Sequence, residues 1–550
     1  MNKTSLLKLF LLMGFSTISA YAQNIQPRID SLYKVDENSP GFSIAVFKGD
    51  SIILERQYGI ANLDYNVPIT GETLFDVGSI AKQFTAFAIL LLEEQGKLVL
   101  EEPAYKYLGN LPRYEKGDPT VEQLLNQTSG IREVDLVAGV ADLYMQDMLS
   151  QSQMVNFIIK INDLNFKPGE YFQYTNSNYI LLAEIVANVS GMSFSQFMEE
   201  KVFIPFGMKN TVKKASTYSI IKNRAIGYQE DEGTYYKTHL HSFIYDGDGQ
   251  VLTNPKDIFK WHQGLKKTKD RSPALYKKMH ERAKLNSGVE IDFGLGVEFE
   301  EHNGYSAMGF DGMIQGGFVS KYLFFPELDI AFFTTQNTFD WDFDDRFFQL
   351  VDMFVPQEDI VPNQKEKMDG TAVALSENEL KKYEGDYLFM GSDDEDRKMN
   401  RIRIKGGQLA VLTMDGEEIT ELEPLGNHQF MFNGNLVQFD IKNNVKSYQY
   451  YSDEQGLPWI FKAYEPHAYS VEELREFEGE FLNSSLQISK KIKLQDNTLY
   501  FFYRNGAWKD EMEVLSKDTF DISFRPIKFR RNNDGRIIGL EITGVYFEKV

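Results

Sequence analysis

An internal repeat in the last third of the chain constrains the fold most. Leu380–Tyr387, which reads LKKYEGDY, recurs 94 positions later as Leu474–Phe481, which reads LREFEGEF. Each copy has about 80–90 residues and alternates apolar and polar residues over short segments separated by Asn, Asp and Gly, a pattern typical of antiparallel strands. The repeat therefore predicts two small antiparallel β-barrels, at residues 377–466 and 467–550, each too short for a typical enzyme domain.

The part of the chain before the repeat predicts one larger domain, residues 23–355. Strand-like alternation occurs at both ends of this region and helical periodicity occurs between them, in these segments: 40–58, Ile80–Gln95, Met154–Ile161, Ser177–Val189, Phe318–Phe325 and Ile330–Thr335. This order predicts an α/β (α+β) domain with an antiparallel sheet that is closed by its N- and C-terminal strands and flanked by helices. The polar segment 356–376, with two prolines, predicts a linker.

The N-terminus has the features of a secretory signal peptide. Lys3 and Lys8 give a short basic region, Leu9–Phe15 is apolar, and Ala20–Ala22 places small residues at a cleavage site. The apolar stretch is too short to span a bilayer. We therefore expect residues 1–22 to be removed and the mature protein to be exported to the periplasm; a retained membrane anchor is the alternative.

Composition excludes several classes of function. The 550 residues include no Cys, so disulfides, thiolate metal sites and a Cys nucleophile are excluded. The formal net charge is −22, so the composition indicates no basic face and argues against a nucleic-acid partner. No later window reaches about 18 apolar residues, so we expect no membrane insertion of the mature chain. The oligomeric state stays open.

A Ser-x-x-Lys sequence is the strongest chemical signal. Ser79 and Lys82 stand directly before the apolar helix predicted at Phe84–Leu92. Three residues apart on a helix, the two side chains share one face, so the amine can reach the hydroxyl. A buried Lys has a lowered pKa and can accept the proton of a Ser nucleophile. The motif also occurs by chance, so its surroundings decide its meaning.

Those surroundings resemble the serine β-lactamase-like superfamily, in the branch of class C β-lactamases, DD-carboxypeptidases, esterases and D-aminopeptidases. The resemblance covers about residues 30–340 and rests on these segments: Leu74–Ala86, Leu92–Leu98, Val121–Gly130, Phe166–Gly169 and Tyr174–Tyr179. It implies a β-lactamase-like catalytic domain without a metal or organic cofactor. The repeat itself resembles two lipocalin-like β-barrels, and D-aminopeptidases of this superfamily have a similar plan with two barrels.

The resemblance implies a second catalytic motif at Tyr174 and Asn176. A free phenol has a pKa near 10 and is a poor base at neutral pH. Beside the Lys82 ammonium its anion is favoured, so we expect Tyr174 and Lys82 to share the proton taken from Ser79. Asn176 is expected to hydrogen-bond both Lys82 and a substrate amide.

The third motif of the family, Lys-Thr-Gly or His-x-Gly, is altered here. One register places Asp311, Gly312 and Met313 at the motif, and a register shifted by one residue places Phe310, Asp311 and Gly312 there. Neither register supplies Lys or His. An Asp facing the site would repel an anionic substrate end, which argues against penicillins and C-terminal carboxylates. A free amine, an ester or a neutral amide fits better.

The remaining site residues are backbone donors and one structural substitution. The resemblance implies that the oxyanion donors are the N–H groups of Ser79 and of Met313 or Ile314. Gln127 stands where the family usually has His, and we interpret this position as structural.

The acidic sequence at 246–249 resembles part of a calcium loop but lacks its later Glu, so we interpret it as a turn.

The sequence therefore predicts an exported serine hydrolase that forms an acyl-enzyme on an amide or ester. The substrate class expected is a small peptide, D-amino-acid amide or ester. One alternative is a catalytically weak homologue that binds peptide or cell-wall fragments, motivated by the altered third motif. The other is a β-lactamase or DD-carboxypeptidase, which the missing Lys or His disfavours.

Overall fold

The computed structural model describes most of the chain. The described residues are 25–140, 149–216, 218–238, 243–314, 317–357, 373–389, 399–412, 418–432, 435–442, 445–451, 458–465, 467–503, 506–522, 525–542 and 544–550. The predicted signal peptide, residues 1–22, and residues 358–372 of the predicted linker lie outside them.

An antiparallel sheet forms the centre of the first domain. Its strands are β1 Phe42–Lys48, β2 Ser51–Tyr58, β12 Glu298–His302, β13 Tyr305–Ile314, β14 Phe318–Phe325 and β15 Ile330–Gln336. Their order in the sheet is β12-β13-β14-β15-β1-β2. Strand β1 pairs with β15 along its whole length, so the N- and C-terminal strands close the sheet and the predicted fold class is confirmed.

Helices cover both faces of this sheet. The helices of the domain are α1 25–32, α2 Ala81–Glu94, α3 Val121–Leu125, α4 Val134–Val140, α5 Gln151–Lys160, α6 Asn176–Ser190, α7 Phe194–Phe197, α8 Ile204–Phe206, α9 Pro255–Arg271, α10 Pro273–Met279 and α11 Phe343–Asp352. Shorter helical turns are Gly78–Ile80, Ala104–Lys106 and the π-helical Met198–Phe203. One face of the sheet packs on a core that includes α2 and α6, and the other packs on α1 and α11.

Short strands occupy the connections between these elements. They are β3 Ile60–Asn62, β4 Val67–Pro68, β5 Phe75–Asp76, β6 Leu149–Ser150, β7 Val212–Lys213, β8 Tyr228–Asp231, β9 Thr234–Lys237, β10 Phe243–Ile244 and β11 Val251–Thr253. Strand β11 pairs with both β5 and β7, so the strand leading to Ser79 is held in a small sheet of its own. This second sheet fixes the point where the chain enters α2.

The first repeat folds into a closed antiparallel barrel. Its strands are β16 Gly385–Phe389, β17 Met399–Lys405, β18 Gln408–Leu412, β19 Glu418–Gly426, β20 Gln429–Phe432, β21 Asn435–Lys442, β22 Val445–Tyr451 and β23 Trp459–Tyr464. Closure comes from the pairing of β16 with β23. The preceding helix α12, Glu377–Leu380, begins with a capping box from Ser376, and the turn Lys381–Tyr383 follows it.

The second repeat forms a barrel that is nearly closed. Its strands are β24 Gly479–Asn483, β25 Ile488–Gln495, β26 Thr498–Tyr503, β27 Trp508–Glu511, β28 Glu513–Ser516, β29 Thr519–Ile522, β30 Arg525–Arg531, β31 Ile537–Ile542 and β32 Val545–Lys549. The edges of this sheet are β27 and β28, and Met512 alone connects them along the chain. A helix α13, Val471–Leu474, with a Ser470 capping box, and the turn Arg475–Phe477 precede it, as in the first copy.

The second barrel packs against the first domain next to α4. Val140, at the end of α4, is buried in the apolar cluster of this barrel, and Phe157 and Ile161 also pack against that cluster. The turn residue Gly544 lies against the guanidinium of Arg132. The barrel therefore contacts the segment that connects Arg132 to Val140.

The described helices were compared with the length and hydropathy of a membrane span. No single described helix is long and apolar enough to cross a bilayer. The pair Asn176–Ser190 and Phe194–Phe206, bent by 76°, has the required length and composition only when taken together.

Candidate active site

Ser79 lies in a tight turn at the entry to α2. Gly78 has a positive φ of 53°, and a Cβ at this position would lie 3.0 Å from the Met313 nitrogen, so the turn and the close approach of β13 both favour glycine. The Gly78 N–H donates to Asp76 Oδ1 at 3.3 Å. These contacts fix the backbone that carries Ser79.

Lys82 lies one turn further along and is fully buried. Its Nζ donates to Ser79 Oγ at 2.9 Å, to Asn176 Oδ1 at 2.8 Å and to the Asp248 carbonyl oxygen at 3.1 Å. None of these acceptors is a carboxylate, so burial dominates and lowers the Lys82 pKa to about 8. The amine is therefore placed and tuned to accept the Ser79 proton near neutral pH.

Tyr174 and Asn176 reach the same point from the start of α6. Thr175 caps this helix with its side chain, which accepts from the Ser177 N–H, and this sets Asn176 as the first helical residue. The Tyr174 hydroxyl donates to Ser79 Oγ at 2.7 Å. The structure thus brings together the four residues that the first two motifs predict: Ser79, Lys82, Tyr174 and Asn176.

The protonation of Tyr174 differs from the sequence-based expectation. Desolvation and the carboxylates Glu298 and Asp248 raise the Tyr174 pKa well above its usual value, although the hydrogen bond to Ser79 lowers it in part. The phenol therefore stays protonated and donates to Ser79 Oγ. This direction, set mainly by burial, runs against the expectation that the Tyr174 anion is favoured, and it leaves the buried Lys82 amine as the candidate base.

The third motif adopts the second of the two registers considered. Gly312 packs directly on the Ser79 turn, since a Cβ there would overlap the Val77 carbonyl oxygen and lie 3.2 Å from the Ser79 nitrogen. Alternation along β13 places Phe310 on this same face. The Phe310 ring lies 6.3 Å from the Tyr174 ring and 5.8 Å from the Phe293 ring. An aromatic side chain therefore occupies the place of the family's Lys or His.

Asp311 lies on the opposite face of the sheet from Ser79. Its carboxylate pairs with Lys321, its cross-strand neighbour on β14, at 2.9 Å. Lys321 also contacts Glu300 at 3.1 Å and Asp344 at 3.9 Å. The expectation that Asp311 would repel a substrate from inside the site is therefore wrong, because one residue of register moves a strand side chain to the other face.

The backbone donors expected for an oxyanion lie on two segments that approach each other closely. The Met313 nitrogen approaches Gly78, and Gly312 approaches the Ser79 nitrogen. The Ile314 side chain packs instead against the separate apolar cluster that includes Phe75. Of the two alternatives that the sequence left open, the geometry favours Met313.

Gln127 occupies a structural position, as interpreted from the sequence. It is fully buried, and its Oε1 accepts from Asn178 Nδ2 at 2.6 Å and from the Thr175 N–H at 3.2 Å. These bonds hold the segment that carries Tyr174 and Asn176 against the loop of the Thr128-Ser129-Gly130 sequence.

Carboxylates around Lys82 are the feature that sequence reasoning missed. Glu133 Oε2 accepts from the Asn176 N–H at 2.7 Å, and Asp135, partly open to solvent, lies 3.5 Å from Asn176 Nδ2. Desolvation raises the pKa of both; repulsion by Asp135 adds to the shift of Glu133, and repulsion by Asp248 adds to that of Asp135. Burial likewise raises the pKa of Asp248 to about 6 and that of Glu298 to about 8. The only sequence signal was that Glu133 and Asp135 closely follow the Thr-Ser-Gly segment.

Known proteins resemble this chain in sequence and in fold. The family model described as Beta-lactamase matches residues 21–350. A D-aminopeptidase of Brucella anthropi is 26% identical over 277 residues, which are 50% of this chain and 52% of that protein, so the chain spans about half the length of the curated relatives it matches.

Two solved structures share the fold. An octameric penicillin-binding protein homologue from Pyrococcus abyssi aligns with a TM-score of 0.53 at 19% identity, over 89% of this chain and 99% of its own. A penicillin binding protein from Bacillus halodurans aligns with a TM-score of 0.51 at 24% identity, over 57% of this chain and 95% of its own. With a family model that matches more than half of its residues, the chain belongs to the β-lactamase family.

Proposed function

We propose that this protein is an exported serine hydrolase that forms an acyl-enzyme on the amide or ester of a small amine-bearing substrate, such as a D-amino-acid amide or ester or a short peptide. The observation that carries the proposal is the pair of hydrogen bonds at Ser79 Oγ, from Lys82 at 2.9 Å and from Tyr174 at 2.7 Å. Export rests on the predicted signal peptide alone.

The chemistry begins with the neutral amine of Lys82. It accepts the Ser79 proton while Oγ bonds to the substrate carbonyl carbon, and the carbonyl oxygen becomes an oxyanion. The N–H groups of Ser79 and Met313 stabilise that charge. The proton on Lys82 then passes to the leaving nitrogen or oxygen, with the Tyr174 hydroxyl placed to relay it, and the acyl-enzyme forms. Water hydrolyses the ester to complete the cycle.

The charges around the site support an amine-bearing substrate. Glu133, Asp135, Asp248 and Glu298 all act electrostatically on Lys82. Asp135 and Asp248, with pKa values of about 6, are ionised at neutral pH, so they favour a cationic group on the substrate and disfavour an anionic one. The D-aminopeptidase relative supports the same substrate class, at 26% identity over half of each chain.

Phe310 separates this function from the β-lactamase and DD-carboxypeptidase alternative. Those activities need a cation in the third motif to hold the substrate carboxylate, and Phe310, whose buried ring lies tilted beside that of Tyr174, supplies none. The same substitution motivates the catalytically weak binding protein as a second candidate. Turnover decides between the binding protein and the hydrolase.

The test measures hydrolysis of D-amino-acid amides and methyl esters by the mature full-length protein. Each substrate is paired with its N-acetylated counterpart, which lacks the ammonium group, and Ser79→Ala is the matched inactive variant. We expect turnover of the free amines, weaker turnover of the acetylated forms, and none with Ser79→Ala. Binding of these compounds without turnover would contradict the hydrolase and favour the binding protein.

A further inference from the structure

Asp248 is a buried carboxylate beside the proposed base. Its backbone carbonyl oxygen accepts from Lys82 Nζ at 3.1 Å, while its side chain is 8% exposed. Its Oδ1 has no hydrogen-bond partner among the described residues. Burying a carboxylate oxygen without a hydrogen-bond partner lowers the stability of the fold. We therefore expect Asp248 to have a role that compensates for this loss.

The charges near Asp248 indicate which role that is. Lys82 is the cation that most stabilises its carboxylate, and Lys213 contributes less, whereas Glu133 opposes it. In return Asp248 acts on Lys82 more strongly than any other charged group does. The two residues are therefore coupled through space, in addition to the backbone hydrogen bond.

We propose that Asp248, buried next to the Lys82 amine, is a positioning residue that acts through Lys82: the charge of its carboxylate sets the pH at which the amine becomes free to accept the Ser79 proton. The inference rests on the proposed function, because it assigns a role within that same site. The hydrogen bond from Lys82 Nζ to the backbone carbonyl oxygen of Asp248 only positions the amine, and any residue at position 248 can accept it.

Other charged groups also face Lys82 from the elements packed around it. Glu133 approaches from the position just before α4, Asp135 from the first turn of α4, and Glu298 from β12. The rings of Tyr174 and Tyr179 lie 4.9 Å and 5.6 Å from its Nζ. Asp248 differs from these groups because its own backbone binds the amine.

The test follows the rate of Ser79 acylation by a fluorophosphonate between pH 5.5 and 9.5 in the full-length mature protein. In Asp248→Asn, which keeps the shape and the backbone carbonyl, we expect the midpoint of the rate profile to fall by about one pH unit. The variant is then faster than the wild type below the wild-type midpoint. It is slower at alkaline pH, because a weaker base accepts the proton less readily.

Two further variants make the result decisive. Asp248→Ala is expected to shift the midpoint in the same direction as Asp248→Asn, which covers the case in which one variant folds poorly. Asp257→Asn removes another buried carboxylate, which bonds Thr211 and Asn210 away from Lys82, and is expected to leave the midpoint unchanged.

One result would contradict this inference alone, and another would contradict the proposed function as well. A uniform loss of rate in both Asp248 variants, with the midpoint unmoved, would overturn the inference and leave the proposed function standing. Absence of acylation in the wild type, with D-amino-acid esters also untouched, would overturn both.

Discussion

Two lysines on opposite faces of the central sheet are both buried and yet differ in chemistry. Lys82 donates to Ser79 Oγ, an amide oxygen and a backbone carbonyl, and burial lowers its pKa to about 8. Lys321 contacts Asp311, Glu300 and Asp344, and these carboxylates outweigh desolvation and raise its pKa. One lysine can give up its proton near neutral pH and the other cannot.

The comparison shows that burial alone does not make a base. Both ammonium groups lose solvation, so the charge of their hydrogen-bond acceptors decides the outcome. On the far face of β13, the Lys321 ammonium on β14 pairs with one carboxylate each from β12, β13 and α11. These ion pairs connect the three strands and the helix. In front of β13, neutral acceptors contact the amine, and the carboxylates around it act on it through space. Under the proposed function, lysine thus acts as a base on one face of the sheet and as an ion-pair partner on the other.

Replacing each lysine by Met separates the two roles most strongly. Lys82→Met removes the base, and we expect acylation by a fluorophosphonate to fall by about 100- to 10,000-fold with the fold intact. Lys321→Met leaves partly exposed carboxylates without their cation, and we expect a loss of about 2 kcal/mol in the free energy of unfolding with acylation retained. Acylation time courses measure the change in rate, and urea titrations measure the change in the free energy of unfolding. Equal losses of activity in both variants would contradict the division of roles.

Phe310→Lys places a cation in the third motif. It tests whether position 310, and not position 311, lies on the face of β13 that is turned toward Ser79. We expect at least about tenfold faster acylation by penicillins, because an ammonium can then hold their carboxylate. Asp311→Lys is the matched control, since position 311 faces away from Ser79, and it is expected to give no gain. Intact-mass spectrometry of the penicilloyl adduct measures both. A gain only in Asp311→Lys would show that the register is wrong.

The pH dependence of acylation reports the state of Lys82. The amine must lose its proton to act, and its pKa is lowered to about 8, so the rate is expected to rise with pH and to level off above that value. Below it, the rate should fall by about tenfold for each pH unit. A profile that rises only near pH 10 would indicate an unperturbed amine or phenol as the base.

Asp135→Asn is expected to have the smallest effect. Removing this carboxylate weakens the attraction for a substrate ammonium, so we expect KM for D-amino-acid esters to rise about threefold while kcat changes little. N-acetylated esters serve as the control and should show no change. Since desolvation, followed by the nearby Asp248 carboxylate, raises the pKa of Asp135 to about 6, wild-type KM for the free amines should rise in the same way as the pH falls through that value. A change of equal size for the acetylated esters would assign Asp135 a structural role.

The family resemblance made the central residues predictable, whereas contacts between distant segments could not be predicted. Ser79 and Lys82 follow from the spacing of one helical turn read together with the resemblance of their surroundings, and Tyr174 and Asn176 follow from that resemblance. The sheet and its closing strands followed from alternation and from the order of elements. Asp311 was misplaced because a single residue of register reverses the face of a strand.

The carboxylates around Lys82 come from separate elements. Glu133 lies just before α4, Asp135 in the first turn of α4, Asp248 in a turn and Glu298 on β12. No spacing in the sequence connects these positions, so only the fold brings them together. The two repeats illustrate the same limit, because similar sequences give one barrel that closes fully and one whose edge strands stay separate.

The most direct test of the account is peptide mapping of the fluorophosphonate adduct at pH 8.5, in the mature full-length protein and in Ser79→Ala. The account predicts one adduct per chain, on the peptide that contains Ser79, and none in the variant. An adduct on another residue, or an equal yield in Ser79→Ala, would contradict the claim that Ser79 is the nucleophile activated by Lys82.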